Sequence, residues 1–275
     1  MPNPVTQHYG STGIADRVLA AIAAGGQNPH QLLPEMLFPF DQLHARELQA
    51  TEDHVAWLAP CPGEHLLDVG SGVGGPARYA AAKHSVRVTG IDLTPEFVEA
   101  ARELTDRCGL SDRVTFQIGN ALRMPFPEGS FDAAMCLYVA MNIADKTALA
   151  GEIARMLKPG GRLIWSEAVG VDGQAPPYPL PWGRSRDTSS LTTEAGLRNA
   201  LESAGLSILE WRDETMLQVD HARNARQASE TPSPERVMAN QVVMGDDFLE
   251  RRRNYLAGLE AGALKGIAIL ARTPR

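Results

Sequence analysis

The residues with the plainest chemistry sit in one stretch, His65-Leu66-Leu67-Asp68-Val69-Gly70-Ser71-Gly72-Val73-Gly74-Gly75-Pro76-Ala77. A short apolar run ends in the carboxylate of Asp68, and Gly70, Gly72 and Gly74 then alternate with small residues. A turn so bare of side chains lets a ligand lie directly on the backbone amides. The glycines fit G-x-G-x-x-G as well as a looser G-x-G-x-G, so the spacing alone does not name the ligand. The next apolar run, Val86-Arg87-Val88-Thr89-Gly90-Ile91, closes on Asp92. That is about 20 residues on, where a carboxylate can accept both hydroxyls of a ribose.

Strands and helices must alternate to hold these groups. The patterns predict strand 65–70, helix 75–83, strand 86–92 and helix 95–108, with Thr94 as N-cap, Pro95 at the first helical position and Gly109 past the end. Strands 113–119 and 131–138 follow. Asp145 caps a helix whose face carries Leu149, Ile153 and Leu157; Lys158-Pro159-Gly160-Gly161 stops it before strand 162–167. Such alternation implies βαβ units and a parallel sheet. The proline-rich run 174–182 breaks the rhythm. Helix 193–204 and strand 207–215 resume it, residues 216–262 are charged and helical in pattern, and 264–271 reads as a final strand antiparallel to 207–215. Ahead of the sheet, Ile14, Val18, Leu19 and Ile22 share one face of a helix ending near Gly25, and a second helix runs from residues 36–44 to Ala59. The fold expected is α/β, Rossmann-like and doubly wound, with a mostly parallel seven-stranded sheet. Residues 1–60 form a helical cap, 61–275 the main domain, and about 216–262 a helical insertion that adds to the lid.

Composition narrows the function. A net charge of -7 without a long basic run disfavours nucleic acid as substrate. No apolar stretch reaches the ~18 residues of a membrane span. Cys61, Cys108 and Cys136 are scattered without C-x-x-C, which points to a reducing, cytoplasmic setting and to no metal site. The start has neither basic nor apolar signal regions.

Taken together, Asp68-Val69-Gly70-Ser71-Gly72-Val73-Gly74, Asp92, Gly119-Asn120-Ala121, the run 131–137 and Leu157-Lys158-Pro159-Gly160-Gly161-Arg162 resemble the class I S-adenosylmethionine-dependent methyltransferases over about residues 60–275. Phe40-Asp41-Gln42-Leu43-His44, Met141-Asn142-Ile143-Ala144-Asp145-Lys146 and Pro179-Leu180-Pro181-Trp182 further resemble the sarcosine/dimethylglycine N-methyltransferase group and its natural-product relatives. The resemblance implies S-adenosyl-L-methionine as cofactor. Asp68, Gly70, Ser71, Gly72 and Gly74 would face its methionine part, Asp92 its ribose, and Leu93, Asn120 and Ala121 its adenine. Asn120 stands where the family usually has aspartate. Leu137 would offer its carbonyl to the ammonium group.

Methyl transfer from a sulfonium is an in-line displacement, so holding the acceptor in a water-poor site does much of the work. Glu167 ends the fifth strand and is a candidate base or anchor for a cationic acceptor, or else a solvated carboxylate. His44 and Tyr138 are the other catalytic candidates. His44 reads as general base or hydrogen-bond partner, or as a structural histidine in a helix-start loop. Tyr9, Gln42, Met141, Asn142 and Trp182 would line the acceptor pocket. The amine-methylating relatives carry a Gln-His pair where Leu137-Tyr138 stands, which weighs against a glycine-derived acceptor. The expected partner is a small-molecule methyl acceptor, an amine or a hydroxyl, taken by a monomer or homodimer. The competing readings are C-methylation, a nicotinamide-dependent oxidoreductase, and a non-catalytic S-adenosylmethionine-binding protein.

Overall fold

The apolar run ending in Asp68 is strand β1 (His65–Val69), and Leu66, Leu67 and Val69 are fully buried because it lies inside the sheet. The computed structural model describes residues 4–227 and 234–275. The other strands are β2 (Arg87–Asp92), β3 (Val114–Ile118), β4 (Phe131–Leu137), β5 (Leu157–Gly170), β6 (Ser207–Asp213) and β7 (Leu264–Arg272). They form one sheet in the order β3-β2-β1-β4-β5-β7-β6. The first five strands pair in parallel, and β7 lies between β5 and β6, antiparallel to both. The order reverses between β1 and β4, which is where open α/β sheets place their ligands.

Helices cover both faces. On one, α7 (Lys146–Met156) and α8 (Glu194–Ser203) press Leu149, Ile153, Leu197 and Leu201 onto Trp165, Val169 and Ile269. On the other, α5 (Gly75–His84) and α4 (Glu47–Leu58) pack Ala77, Ala81, Val55 and Leu58 against Leu66, Val88 and Ile164. Helix α6 (Pro95–Arg107) buries Phe97 and Leu104 against Ile14 and Val18 of α2 (Ile14–Ala24).

Three local expectations change. Residues before the sheet form four helices rather than two: α1 (Pro4–Tyr9), α2, α3 (Pro34–Asp41) and α4. The break between α3 and α4 contains neither glycine nor a breaking proline; instead Arg46 and Glu47 take left-handed φ values of 62° and 48°. Leu157 does not extend the α7 face. It opens β5, which begins at once and absorbs the Pro-Gly-Gly segment as a bulge: Phe131 pairs with Leu157, yet Ala133 pairs with Arg162. The side chain of Thr94 makes no capping bond; Asp92 Oδ1 accepts from the Thr94 amide at 2.8 Å instead. The segment read as a helical insertion holds α9 (Thr215–Gln227), α10 (Pro234–Met244) and α11 (Phe248–Glu260). Among the described residues no helix is long and apolar enough to cross a membrane, and no cluster of three His, Cys, Asp or Glu side chains could hold a metal ion.

Candidate active site

The carboxyl ends of β1, β2 and β4 open into a cavity of about 820 Å³, roofed by α1, the segment between α3 and α4, and helices α9 to α11. Its two halves differ in chemistry. The half at the glycine turn is polar and leaves bonding capacity unused. Asp68 is 2% exposed, its Oδ2 has no hydrogen-bond partner, and burial with the nearby Asp92 charge pushes its carboxyl up to about 7. Ser71 Oγ is likewise buried and unpartnered. Asp92 accepts from the Gly72 amide at 2.9 Å through Oδ2 and from Thr94 through Oδ1, so each oxygen is fixed and each keeps a lone pair. Gly72 has a left-handed φ of 51°, and a Cβ there would point into open space. Leu93, Asn120, Ala121 and Leu137 complete this half. The Asn120 side-chain oxygen already accepts from the Leu122 amide at 2.9 Å, which orients it at the rim. These residues fit a ligand with a cationic end, a diol and a flat base.

The second half is apolar with a few neutral polar groups. Leu43, Met141, Trp182, Leu256 and Leu259 form its walls. His44 and Tyr138 face each other, ring centroids 5.9 Å apart. Burial above all, with neighbouring His54 acting in the same direction, pushes His44 down to about 4, so it is neutral at neutral pH. Tyr138 accepts from Gln218 Nε2 at 2.6 Å, and Tyr255 donates to Gln218 Oε1 at 2.6 Å. Tyr138 therefore keeps its own proton to donate, and burial raises its pKa, which keeps that proton in place. Arg46 also reaches the cavity, held by Glu214 at 3.1 Å and by Asp53. Tyr9 sits at the junction, its ring 5.7 Å from Phe97 and its hydroxyl 3.5 Å from Asn142 Nδ2. Trp182 is anchored by its Nε1 donating to Ser189 Oγ at 2.8 Å.

Comparison with known proteins covers the part of the chain that carries the glycine turn. Residues 67–165 match the profile of a family described as a methyltransferase domain. An O-methyltransferase of Pyrenophora dematioidea is 32% identical over 157 residues, covering 57% of this chain and 59% of that protein. The 27-O-demethylrifamycin SV methyltransferase of Amycolatopsis mediterranei is 37% identical over 124 residues, covering 45% of this chain and 46% of that protein. Residues 67–165 thus carry a methyltransferase domain, and the relatives that match over this region are methyltransferases. The match spans only about half the length of these two relatives. The solved 4+2 cyclase SpnF has the same fold, with a TM-score of 0.66 at 24% identity over 95% of this chain and 93% of its own.

Within this methyltransferase frame, three expected site residues lie off the cavity wall. Glu167 is 0% exposed: period-two alternation with Trp165 and Val169 turns it into the α7 side of the sheet, where its Oε1 accepts from Trp165 Nε1 at 2.7 Å. It does not line this cavity, and from there it reaches neither a base's position nor an acceptor anchor's. Gly74 caps α5 at φ 87°, and a Cβ there would meet the Phe116 ring at 2.5 Å; its role is packing. Gln42 is 1% exposed and does not line the cavity; its side chain lies in a buried hydrogen-bond series. Sequence reading missed Gln218, Tyr255 and Arg46. The first two lie in the charged helical stretch, where only the tertiary fold shows which side chains reach Tyr138.

Proposed function

We propose that the protein methylates a hydroxyl group of a small, largely apolar molecule, using S-adenosyl-L-methionine. The observation that supports this is one cavity joining the Asp68–Gly72–Asp92 cradle to an apolar pocket whose polar groups are His44 and Tyr138. When bound, S-adenosylmethionine supplies an electrophilic methyl group on a sulfonium. Asp68 would hold the cationic end, Asp92 the ribose hydroxyls, and Leu93 with Asn120 the base. Tyr138, a neutral donor, orients the acceptor oxygen; His44, a neutral imidazole, accepts its proton. Because oxygen becomes more acidic as it is alkylated, a weak base placed at bonding distance suffices, and such bases contribute typically ~10²- to 10⁴-fold. The apolar walls exclude competing water. A hydroxyl fits better than an ammonium, since the carboxylates that act on Tyr138 and His44, Glu214 and Glu47, are paired with Arg46 and Arg252, and Glu167 has turned away. The two relatives above, both named for O-methylation or for an O-demethyl substrate, point the same way.

The test is an acceptor screen with methyl-labelled donor, the products placed by mass spectrometry and NMR. Label on oxygen supports the reading. Label on carbon or nitrogen overturns the acceptor class. Tight cofactor binding without transfer to any compound of the screen, whether to oxygen, nitrogen or carbon, overturns methyl transfer itself.

A further inference from the structure

Four buried polar side chains run from the glycine turn to His44. Arg78 Nη2 donates to Asp41 Oδ2 at 2.9 Å, and Gln42 Nε2 donates to Asp41 Oδ1 at 2.8 Å. Thr51 Oγ1 donates to Gln42 Oε1 at 2.6 Å, and His44 Nε2 lies 3.0 Å from the same Thr51 oxygen. All four of these partners of His44 are at most 3% exposed, so water does not compete for the bonds. The series is built into the packing. Arg78 Nη2 also donates to the carbonyl of Val73, inside the glycine turn, at 2.6 Å. Gly75 leaves the room it needs: a Cβ there would lie 2.3 Å from Asp41 O and 2.6 Å from Gln42 Nε2.

Each link fixes the next. The Asp41 carboxylate, paired with the Arg78 guanidinium, can only accept, so Gln42 must turn its amide nitrogen toward it. The amide oxygen then faces Thr51 and takes the single hydroxyl proton. Thr51 is left to accept from His44, which requires the imidazole proton on Nε2. The other ring nitrogen, Nδ1, then carries a lone pair. Its neighbour at 3.3 Å is the Ala45 carbonyl, which taken alone would accept from Nδ1–H; the shorter 3.0 Å link to Thr51, whose proton is committed to Gln42, sets the opposite tautomer.

We propose that Asp41, Gln42 and Thr51 are positioning residues that hold His44 in the Nε2–H tautomer, so that Nδ1 is the atom that takes the acceptor proton. This rests on the methyl-transfer reading above. In the step, the acceptor oxygen gains the methyl carbon and its proton passes to Nδ1. The electron pair of the broken carbon–sulfur bond stays on sulfur. The imidazolium so formed has a partner on each nitrogen, Thr51 at Nε2 and the Ala45 carbonyl at Nδ1.

The tautomer can be read without any acceptor, from long-range proton–nitrogen correlations of the full chain labelled with ¹⁵N-histidine, His44 being assigned by its loss in His44→Asn. At neutral pH the expected pattern is Nε2–H in the parent and in Thr51→Ser. Gln42→Met removes the acceptor of the Thr51 proton and frees that proton to turn to Nε2, so His44 should move to Nδ1–H. Turnover should then fall roughly 10- to 100-fold, with S-adenosylhomocysteine affinity nearly unchanged. Thr51→Val should lose turnover similarly and Thr51→Ser recover most of it. An Nδ1–H parent, or an unchanged tautomer in Gln42→Met, overturns the assignment. The spectra decide this even if the acceptor screen overturns methyl transfer.

Discussion

Asp68 and Glu167 are both fully buried carboxyls raised to about 7, and their surroundings give them opposite uses. Asp68 opens onto the cavity with an unpartnered oxygen, so a cationic ligand would favour its ionised form. Cofactor binding should therefore tighten as pH rises through about 7 and release a fraction of a proton near neutrality. Calorimetry in buffers of different ionisation heat measures that proton, and Asp68→Asn should abolish it. Asp92→Ala should weaken S-adenosylmethionine binding roughly 5- to 150-fold, because the loss of a buried acceptor costs about 1–3 kcal/mol. Glu167 faces Trp165 and the α7 side, with Lys146 the charge that opposes its rise. A folded pKa above the unfolded one means stability that is full below about pH 4.5 and is lost as pH rises through about 7. Glu167→Gln should flatten that slope, worth on the order of 3 kcal/mol in the parent, and leave the acceptor KM alone. Denaturant melts from pH 4 to 8 and steady-state kinetics check both; a raised KM would return Glu167 to the acceptor site. Asp68 and Asp92 were legible because each ends an apolar run beside the glycines. The burial of Glu167 was also written in the alternation with Trp165 and Val169, but strand position drew more weight than strand period.

Among the elements, the segment joining α3 to α4 does most to shape the site. It carries Gln42, Leu43, His44, Ala45 and Arg46, and its last residue and Glu47 sit in the left-handed region without being glycine. Such residues cost about 1–3 kcal/mol unless the surroundings hold them, and Arg46 is held by Glu214 and Asp53. The sequence offered no glycine or asparagine to mark this break, so one helix was expected to run on from residues 36–44. The sheet strands were legible to within a few residues because period-two and βα punctuation are local signals. The start of α5 was legible as a helix, though its Gly75 read as one more glycine of the turn. In the structure Gly75 is where α5 meets the α3–α4 segment. Gly75→Ala should push that segment outward, lower stability by about 1–3 kcal/mol as overpacking does, and reduce turnover more than cofactor affinity. Thermal melts with and without S-adenosylhomocysteine, alongside kinetics, separate the two effects. Unchanged turnover would mean that the segment and α5 are not coupled.

At the scale of the whole molecule, the cavity is roofed by pieces far apart in the chain. Tyr138 after β4 meets Gln218 of α9 and Tyr255 of α11, and His8 of α1 lies 3.1 Å from an Arg251 nitrogen that also donates to the Pro181 carbonyl at 2.9 Å. Periodicity shows that a helix has an apolar face but not which partner covers it, so the roof was the part of the site that sequence left open. The structure also changes how the roof is best tested. Removing residues 1–40 would strip α2 from Phe97, Ala100 and Leu104 and expose core, so loss of activity would say nothing of the site. Removing residues 1–12 stops short of Ile14 and takes away only α1 and its link to α2. Tyr9 packs on Phe97 beside Asn142 and within electrostatic reach of Asp92, so α1 covers the Asp92 side of the cavity as well as its apolar half. Losing a buried aromatic side chain costs about 1.5–3 kcal/mol. The shorter truncation should therefore weaken S-adenosylhomocysteine binding roughly 10- to 150-fold and abolish turnover, while the melting temperature without ligand falls by several degrees but the chain stays folded. Tyr9→Phe keeps the ring and loses only the long contact to Asn142, so its affinity should stay within a few-fold of the parent. Cofactor affinity untouched by the truncation would place α1 over the acceptor alone; turnover untouched by it would remove α1 from the roof.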